Sequence, residues 1–105
     1  MTFDTAPFSE GPLRAARAAR GVVTLTLDDP QRFNALGHEM LAALQKALNG
    51  IAADESIRAV VLAANGRAFC AGHNLKDMAA TPELAFYQDL FAQCGRMMLS
   101  IHKLP

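Results

Sequence analysis

The sequence has no surplus of either charge. Ten Lys and Arg stand against ten Asp and Glu across 105 residues, with three His besides. A chain without net charge has no long-range field to hold nucleic acid or an anionic membrane surface, so neither is an expected partner. Long apolar runs are also missing, and nothing approaches the roughly 20 consecutive apolar residues that cross a bilayer. No signal-peptide core opens the chain, and Asp4 and Glu10 argue against a transit peptide. Cysteine is scarce: Cys70 and Cys94 form no C-x-x-C pair and follow no secretory signal, which favours a reducing, cytoplasmic setting over a disulfide scaffold. Internal repeats and low-complexity tracts are absent too. What the chain does have is 51% hydrophobic residues, enough for a core, in a length that allows one domain at most.

The best-organised stretch is Arg58 to Met78, RAVVLAANGRAFCAGHNLKDM. The uninterrupted apolar run Ala59–Ala64 predicts a short strand of a parallel sheet, buried on both faces. Asn65 and Gly66 turn the chain, Arg67–Ala71 advance again, Gly72 permits an angle that other residues resist, and His73–Met78 reads as an opening helical turn. Backbone N–H groups converging at such a turn attract developing negative charge. On spacing alone, however, an ordinary strand-to-helix turn reads the same way.

Upstream, residues 1–12 carry Pro7, Gly11 and Pro12 among polar residues and are expected to be a flexible tail. Leu13–Arg20 is ambiguous, because Arg14, Arg17 and Arg20 have helical spacing and would share a solvated face. Val22–Leu27 is β-branched and predicts a strand. From Gly37 to about Ala52, Met40, Leu41, Leu44, Ala47, Leu48 and Ile51 recur at helical spacing, so strand, helix and the Ala59–Ala64 strand make a βαβ unit. Downstream, Thr81-Pro82-Glu83 reads as an N-cap, a first-turn proline and a first-turn acid. The helix that they open has the apolar stripe Leu84, Tyr87, Phe91, Cys94, Met98 and Ile101, which needs a partner.

Two motifs carry a resemblance to a known family. Phe69-Cys70-Ala71-Gly72-His73-Asn74-Leu75-Lys76-Asp77-Met78 resembles the FxAGxDLxEM signature of the enoyl-CoA hydratase/isomerase (crotonase) superfamily. Asp29-Pro30-Gln31-Arg32-Phe33-Asn34-Ala35-Leu36 is similar to its RPxxxNAL element, at the appropriate distance upstream. The resemblance runs from about Leu13 to the C-terminus. It implies an α/β fold, the N-terminal part of a crotonase-like ββα superhelix, with a hairpin followed by βαβ units of parallel strands and flanking helices. Residues 13–105 would then be an incomplete acyl-CoA-binding domain, since the family pattern continues past Pro105 to another buried strand, a second oxyanion-hole donor and the catalytic carboxylates. The Leu13–Arg20 stretch becomes the first strand of the hairpin.

The function implied by the resemblance is chemistry on an acyl-CoA thioester, in which a backbone N–H stabilises negative charge on the thioester oxygen. That donor is the N–H of His73, with Gly72 allowing the close approach. Ala71, His73, Asn74, Leu75 and Lys76 would hold coenzyme A, and Arg32 would meet its phosphates, although Arg32 and Lys76 read equally as solvated surface charges. Coenzyme A enters as part of the substrate; no prosthetic group and no metal are implied. Family members assemble as trimers or hexamers, which makes a homo-oligomer the expectation, and Tyr87 or Phe91 would line an acyl pocket.

Position 73 is commonly small or apolar and position 74 commonly Asp, so His73 and Asn74 depart from the pattern. The imidazole is either a shape and hydrogen-bonding group or a proton carrier. Cys70 and Cys94 read as core residues or nucleophiles, and His38 and His102 lack metal-ligand spacing. Glu39, Asp77, Glu83 and Asp89 are not placed by a motif in any acid/base role. Enoyl-CoA hydration or isomerisation, in fatty acid metabolism, is the leading expectation, with the fragment inactive alone. Other thioester reactions (hydrolysis, decarboxylation, dehalogenation) and a non-catalytic coenzyme A-binding or assembly module are the alternatives.

Overall fold

A computed structural model describes residues 11–105 except Asn74, and Asp77 only in its backbone. The flexible tail expected for residues 1–12 therefore lies, through residue 10, outside the described residues. Pro12, a turn residue just ahead of the first strand, is already tied to the sheet's end, its carbonyl accepting the Asp28 N–H at 2.7 Å.

Strands β1 (Leu13–Ala18) and β2 (Val22–Leu27) form an antiparallel hairpin, with Leu13 opposite Leu27 and Ala18 opposite Val22. The turn between them uses Arg20 at φ 68° and Gly21 at φ 75°. A Cβ on Gly21 would lie 2.2 Å from the Ser56 carbonyl oxygen, so only glycine fits there. The helical phase of the three arginines does not survive in an extended strand, where side chains alternate between faces. Arg14 pairs with Asp28 at 3.8 Å, Arg17 reaches the Ser56 hydroxyl at 3.0 Å, and Arg20 lies in the turn. The expected hairpin is what forms.

Helix α1 (His38–Ala52) crosses over to β3 (Ala59–Ala64), which pairs parallel to β2 in the order β1-β2-β3. All six predicted apolar positions of α1 are buried, and Ala43 joins them. They cover the sheet face formed by Leu13, Val23, Leu25 and Leu27. Leu41 and Leu48 are at most 1% exposed, and truncating either to alanine would cost about 3 kcal/mol in lost contacts and residual cavity.

The strand expected to be buried on both faces is instead half open. Val61 is 47% and Leu62 40% exposed, because β3 pairs only with β2 among the described residues and has an unpaired edge. A short helix, α2 (Leu75–Ala80), and the long α3 (Leu84–His102) complete the chain. Helix α3 starts two residues later than the Thr81 cap predicts. Its N-cap is Glu83, which makes no side-chain capping bond. It runs alongside and parallel to α1: His38 meets Gln93, and Gln45 donates to the Ser100 hydroxyl at 2.7 Å, each pair 55 residues apart.

The apolar stripe of α3 is also shifted from its expected phase. Leu90 and Met97 are the buried residues, flanked by Phe86, Cys94 and Ile101 on the core, whereas Leu84, Phe91 and Met98 are 71%, 49% and 44% exposed. Helical spacing alone does not choose between adjacent stripes; packing against α1 does.

Candidate functional site

Strands β2 and β3 run in the same direction, so the loops leaving them emerge side by side at their carboxyl ends. In open α/β sheets this is where ligand crevices form. The first loop contains a 3₁₀ turn, Pro30–Arg32, followed by Phe33 and Asn34, both left-handed at φ 54° and 53°. The second runs from Asn65 to His73.

Asn34 ties the two loops together. It is fully buried; its Oδ1 accepts the Asp29 N–H at 2.8 Å, and its Nδ2 donates to the carbonyls of Asn65 and Ala68 at 2.8 and 2.9 Å. Asparagine suits the position twice over, since it tolerates a left-handed backbone and offers both a donor and an acceptor. Two main-chain bonds complete the seam: the Ala71 N–H donates to the Phe33 carbonyl at 3.0 Å, and the Leu36 N–H to the Gly72 carbonyl at 2.6 Å. Gly66, at φ 94°, packs so closely on Pro30 that a Cβ would lie 2.6 Å from the proline ring.

A cleft of about 340 Å³ opens over this seam, lined by Gln31, Arg32, Phe33, Ala35, Ala71, His73, Leu75 and Lys76. Five of the residues expected to hold coenzyme A, namely Arg32, Ala71, His73, Leu75 and Lys76, thus come together from the two motifs. Asn74 lies outside the described residues. Arg32 is 64% exposed and reaches Asp29 only at 4.0 Å, which leaves its guanidinium able to turn toward an anion in the cleft.

Gly72 adopts φ 88°, and the space where a Cβ would stand is empty to beyond 4 Å. It is therefore kept as glycine by its backbone angle, not by crowding. Helix α2 begins at Leu75 and not at His73 as expected; His73 makes a single parallel bridge with Leu36. That bridge uses the Gly72 carbonyl and the Leu36 N–H. Among the described residues the His73 N–H donates to no backbone carbonyl, and its residue lines the cleft.

The imidazole of His73 is held by packing. Its ring lies edge-on to Phe91 with centroids 5.0 Å apart and planes at 67°, and its buried Nδ1 has no hydrogen-bond partner among the described residues. Tyr87, four residues earlier on α3, donates its hydroxyl to the Met78 carbonyl at 3.0 Å. Cys70 Sγ receives the Gly72 N–H at 3.5 Å, and burial pushes the Cys94 thiol up, with the Cys70 thiol adding to the effect. A raised thiol is a poor nucleophile, which favours the core reading of Cys94. His38 is occupied with Gln93 and the Phe86 ring, away from the cleft, and no group of three metal-binding side chains occurs among the described residues.

Sequence reasoning missed Gln31, Phe33 and Ala35 as cleft residues and Asn34 as the tie between the loops. Only the asparagine left a signal, since Asn is the side chain most at ease in a left-handed turn that must also be buried.

The fold and the cleft together define a class: an α/β protein with a ligand crevice at the carboxyl ends of parallel strands, framed by main-chain donors and exposed cations. More specifically, the chain belongs to the enoyl-CoA hydratase/isomerase family, whose model matches residues 17–105. It is 32% identical over 94 residues to the mitochondrial enoyl-CoA hydratase domain-containing protein 3 of Xenopus laevis, covering 90% of this chain and 32% of that protein. It is 43% identical over 63 residues to the 1,2-epoxyphenylacetyl-CoA isomerase of Escherichia coli, covering 60% of this chain and 24% of the isomerase. Among solved structures, an enoyl-CoA hydratase of Mycobacterium smegmatis superposes with a TM-score of 0.88 at 58% identity, covering 91% of this chain and 37% of that one. The chain thus spans about a third of the length of these relatives.

Proposed function

We propose that this chain supplies the coenzyme A cleft and one oxyanion-hole donor of an enzyme acting on acyl-CoA thioesters by hydration or double-bond isomerisation. The observation that carries the reading is the main-chain geometry at Gly72-His73. A residue at φ 88° precedes an N–H that donates to no described carbonyl and belongs to a cleft also lined by Arg32 and Lys76. A donor fixed in this way stabilises an enolate-like thioester oxygen without reorganising, and removing one such donor typically costs about 3 kcal/mol of barrier.

Arg32 and Lys76 supply the cations for the phosphate groups of coenzyme A, and Ala71 and Leu75 the flanking surface. Coenzyme A is substrate here, not a resident cofactor. The names of the E. coli and M. smegmatis relatives support both isomerase and hydratase chemistry. The acid and base groups of the reaction are assigned to chain beyond this third of the family's length, so the fragment alone is expected to be inactive. The open edge of β3 and the exposed Leu84, Met98 and Leu99 are consistent with further packing, within a longer chain or a homo-oligomer.

The test is Gly72→Val in the full-length protein, assayed by turnover of a short enoyl-CoA and by titration with free coenzyme A. A β-branched residue at φ 88° must shift the loop, because that region is closed to it. Turnover should fall at least about a hundredfold, as expected when an oxyanion donor is displaced. Unchanged turnover would refute the assignment of the loop.

A further inference from the structure

The imidazole of His73 has no part in the function proposed above, although it stands on the same residue as the oxyanion donor, in the wall of the cleft. Its two ring nitrogens have different surroundings. Nδ1 is buried and has no hydrogen-bond partner among the described residues, with the Phe91 ring edge-on at a centroid distance of 5.0 Å. Nε2 is likewise unbonded among those residues, but it is not buried.

A neutral imidazole carries a single N–H, so one nitrogen donates and the other accepts. A hydrogen on Nδ1 would bury a donor with nothing to receive it, and orphaned buried N–H groups are rarer than under-satisfied acceptors. The hydrogen-bond network therefore assigns the hydrogen to Nε2, which makes the reachable nitrogen a donor. The surrounding side chains do little to satisfy it. Phe33, Ala35 and Leu75 bring no side-chain acceptor to the cleft, Arg32 and Lys76 are donors only, and Gln31 makes no hydrogen bond to His73 among the described residues. An acceptor for the Nε2–H is left to the ligand.

We infer that His73 is a specificity-determining residue: its Nε2–H donates to an acceptor oxygen carried by the acyl group within a few bonds of the thioester carbonyl. Oxygenated acyl groups are thereby favoured over hydrocarbon ones of the same shape. This rests on the proposed oxyanion role of the residue-73 N–H, which brings the start of the acyl chain to the ring on the same residue. A hydrocarbon chain laid against that edge strips water from the N–H and offers no acceptor in return, and this is how a polar group in a site rejects an analogue that lacks its partner.

The test uses the full-length protein and two pairs of unreactive thioesters, titrated by calorimetry. Methoxyacetyl-CoA and butyryl-CoA differ only in an ether oxygen replacing a methylene; 3-methoxypropionyl-CoA and pentanoyl-CoA set that oxygen one bond further out. In at least one pair the ether should bind about fivefold more tightly, as expected for one hydrogen bond in a partly solvated site. His73→Leu keeps an apolar body against Phe91 but has no donor, and should abolish or reverse the preference. His73→Gln restores an N–H and should recover about twofold of it. Equal affinities within both pairs, or a preference that survives His73→Leu, would overturn the inference. A second readout needs no variant: with selective ¹⁵N-histidine labelling, the His73 hydrogen should be found on Nε2, and a hydrogen on Nδ1 alone overturns the inference even in an active enzyme. An ether preference that depends on His73 in a protein with no enoyl-CoA turnover removes only the enzymatic reading, and turnover without such a preference removes only this inference.

Discussion

Replacing Asn34 by alanine tests how the two loops are joined. The side chain makes three hydrogen bonds, at 2.8, 2.8 and 2.9 Å, to the Asp29 N–H and the carbonyls of Asn65 and Ala68. Orphaning these groups at about 1 kcal/mol each, partly offset by water at the exposed Asn65 and increased by alanine's aversion to φ 53°, gives a loss of about 3 kcal/mol. Urea denaturation followed by circular dichroism measures it as a lower midpoint with unchanged slope. Asn34→Asp is the sharper variant. It keeps the acceptor and the tolerance of a left-handed backbone, but sets an acceptor-only carboxylate against two carbonyl oxygens. At neutral pH it should be at least as unstable as the alanine variant, and it should recover partly as acid protonates the carboxylate and restores one donor. A loss under about 1 kcal/mol for Asn34→Ala, or an aspartate variant more stable than the alanine variant at pH 7, would refute the account of the seam.

Two other groups give predictions of their own. Asp54 accepts the Ser56 hydroxyl at 2.6 Å and the Ser56 N–H at 2.9 Å, and these bonds, the hydroxyl first, hold its carboxyl below the usual value. A depressed carboxylate stabilises above its unfolded value and loses that contribution as pH falls through the folded one, so Asp54→Ala should flatten the acid limb of stability against pH below about 4; an identical limb would contradict this. Cys94, raised mainly by burial, should be alkylated by iodoacetamide at pH 7.5 at least about tenfold more slowly in the folded than in the urea-unfolded protein. Equal rates would mean that the thiol is not shielded.

The parts of the fold legible in the sequence were those where local pattern and tertiary packing agree. Met40 to Ile51 repeats at helical spacing and is buried as that spacing demands, and Ala59–Ala64 is a strand of the expected length. Leu13–Ala18, rich in alanine and arginine, has no strand preference of its own. It is extended because β2 supplies the hydrogen bonds, a fact about a neighbour that only family resemblance could anticipate. The phase of α3 was hidden for a different reason. Two adjacent apolar stripes both satisfy its period; of the predicted one Cys94 and Ile101 pack on the core beside Leu90 and Met97, while Tyr87 and Phe91 turn toward the glycine loop. Of the cleft, the residues to which the two motifs attach a role were readable, whereas Gln31, Phe33 and Ala35, although they stand inside the first motif, were not, because they line the cleft through the course of the main chain and not through any chemistry special to their side chains.

The central claim is that the N–H of residue 73 receives the thioester oxygen. A crystal structure of the full-length protein with acetoacetyl-CoA addresses it directly. The account predicts that oxygen at about 3 Å from the His73 nitrogen, with the nucleotide lying along Arg32, Ala71 and Lys76. A thioester bound with its oxygen away from residue 73, or a coenzyme seated outside the cleft between the two loops, would contradict it.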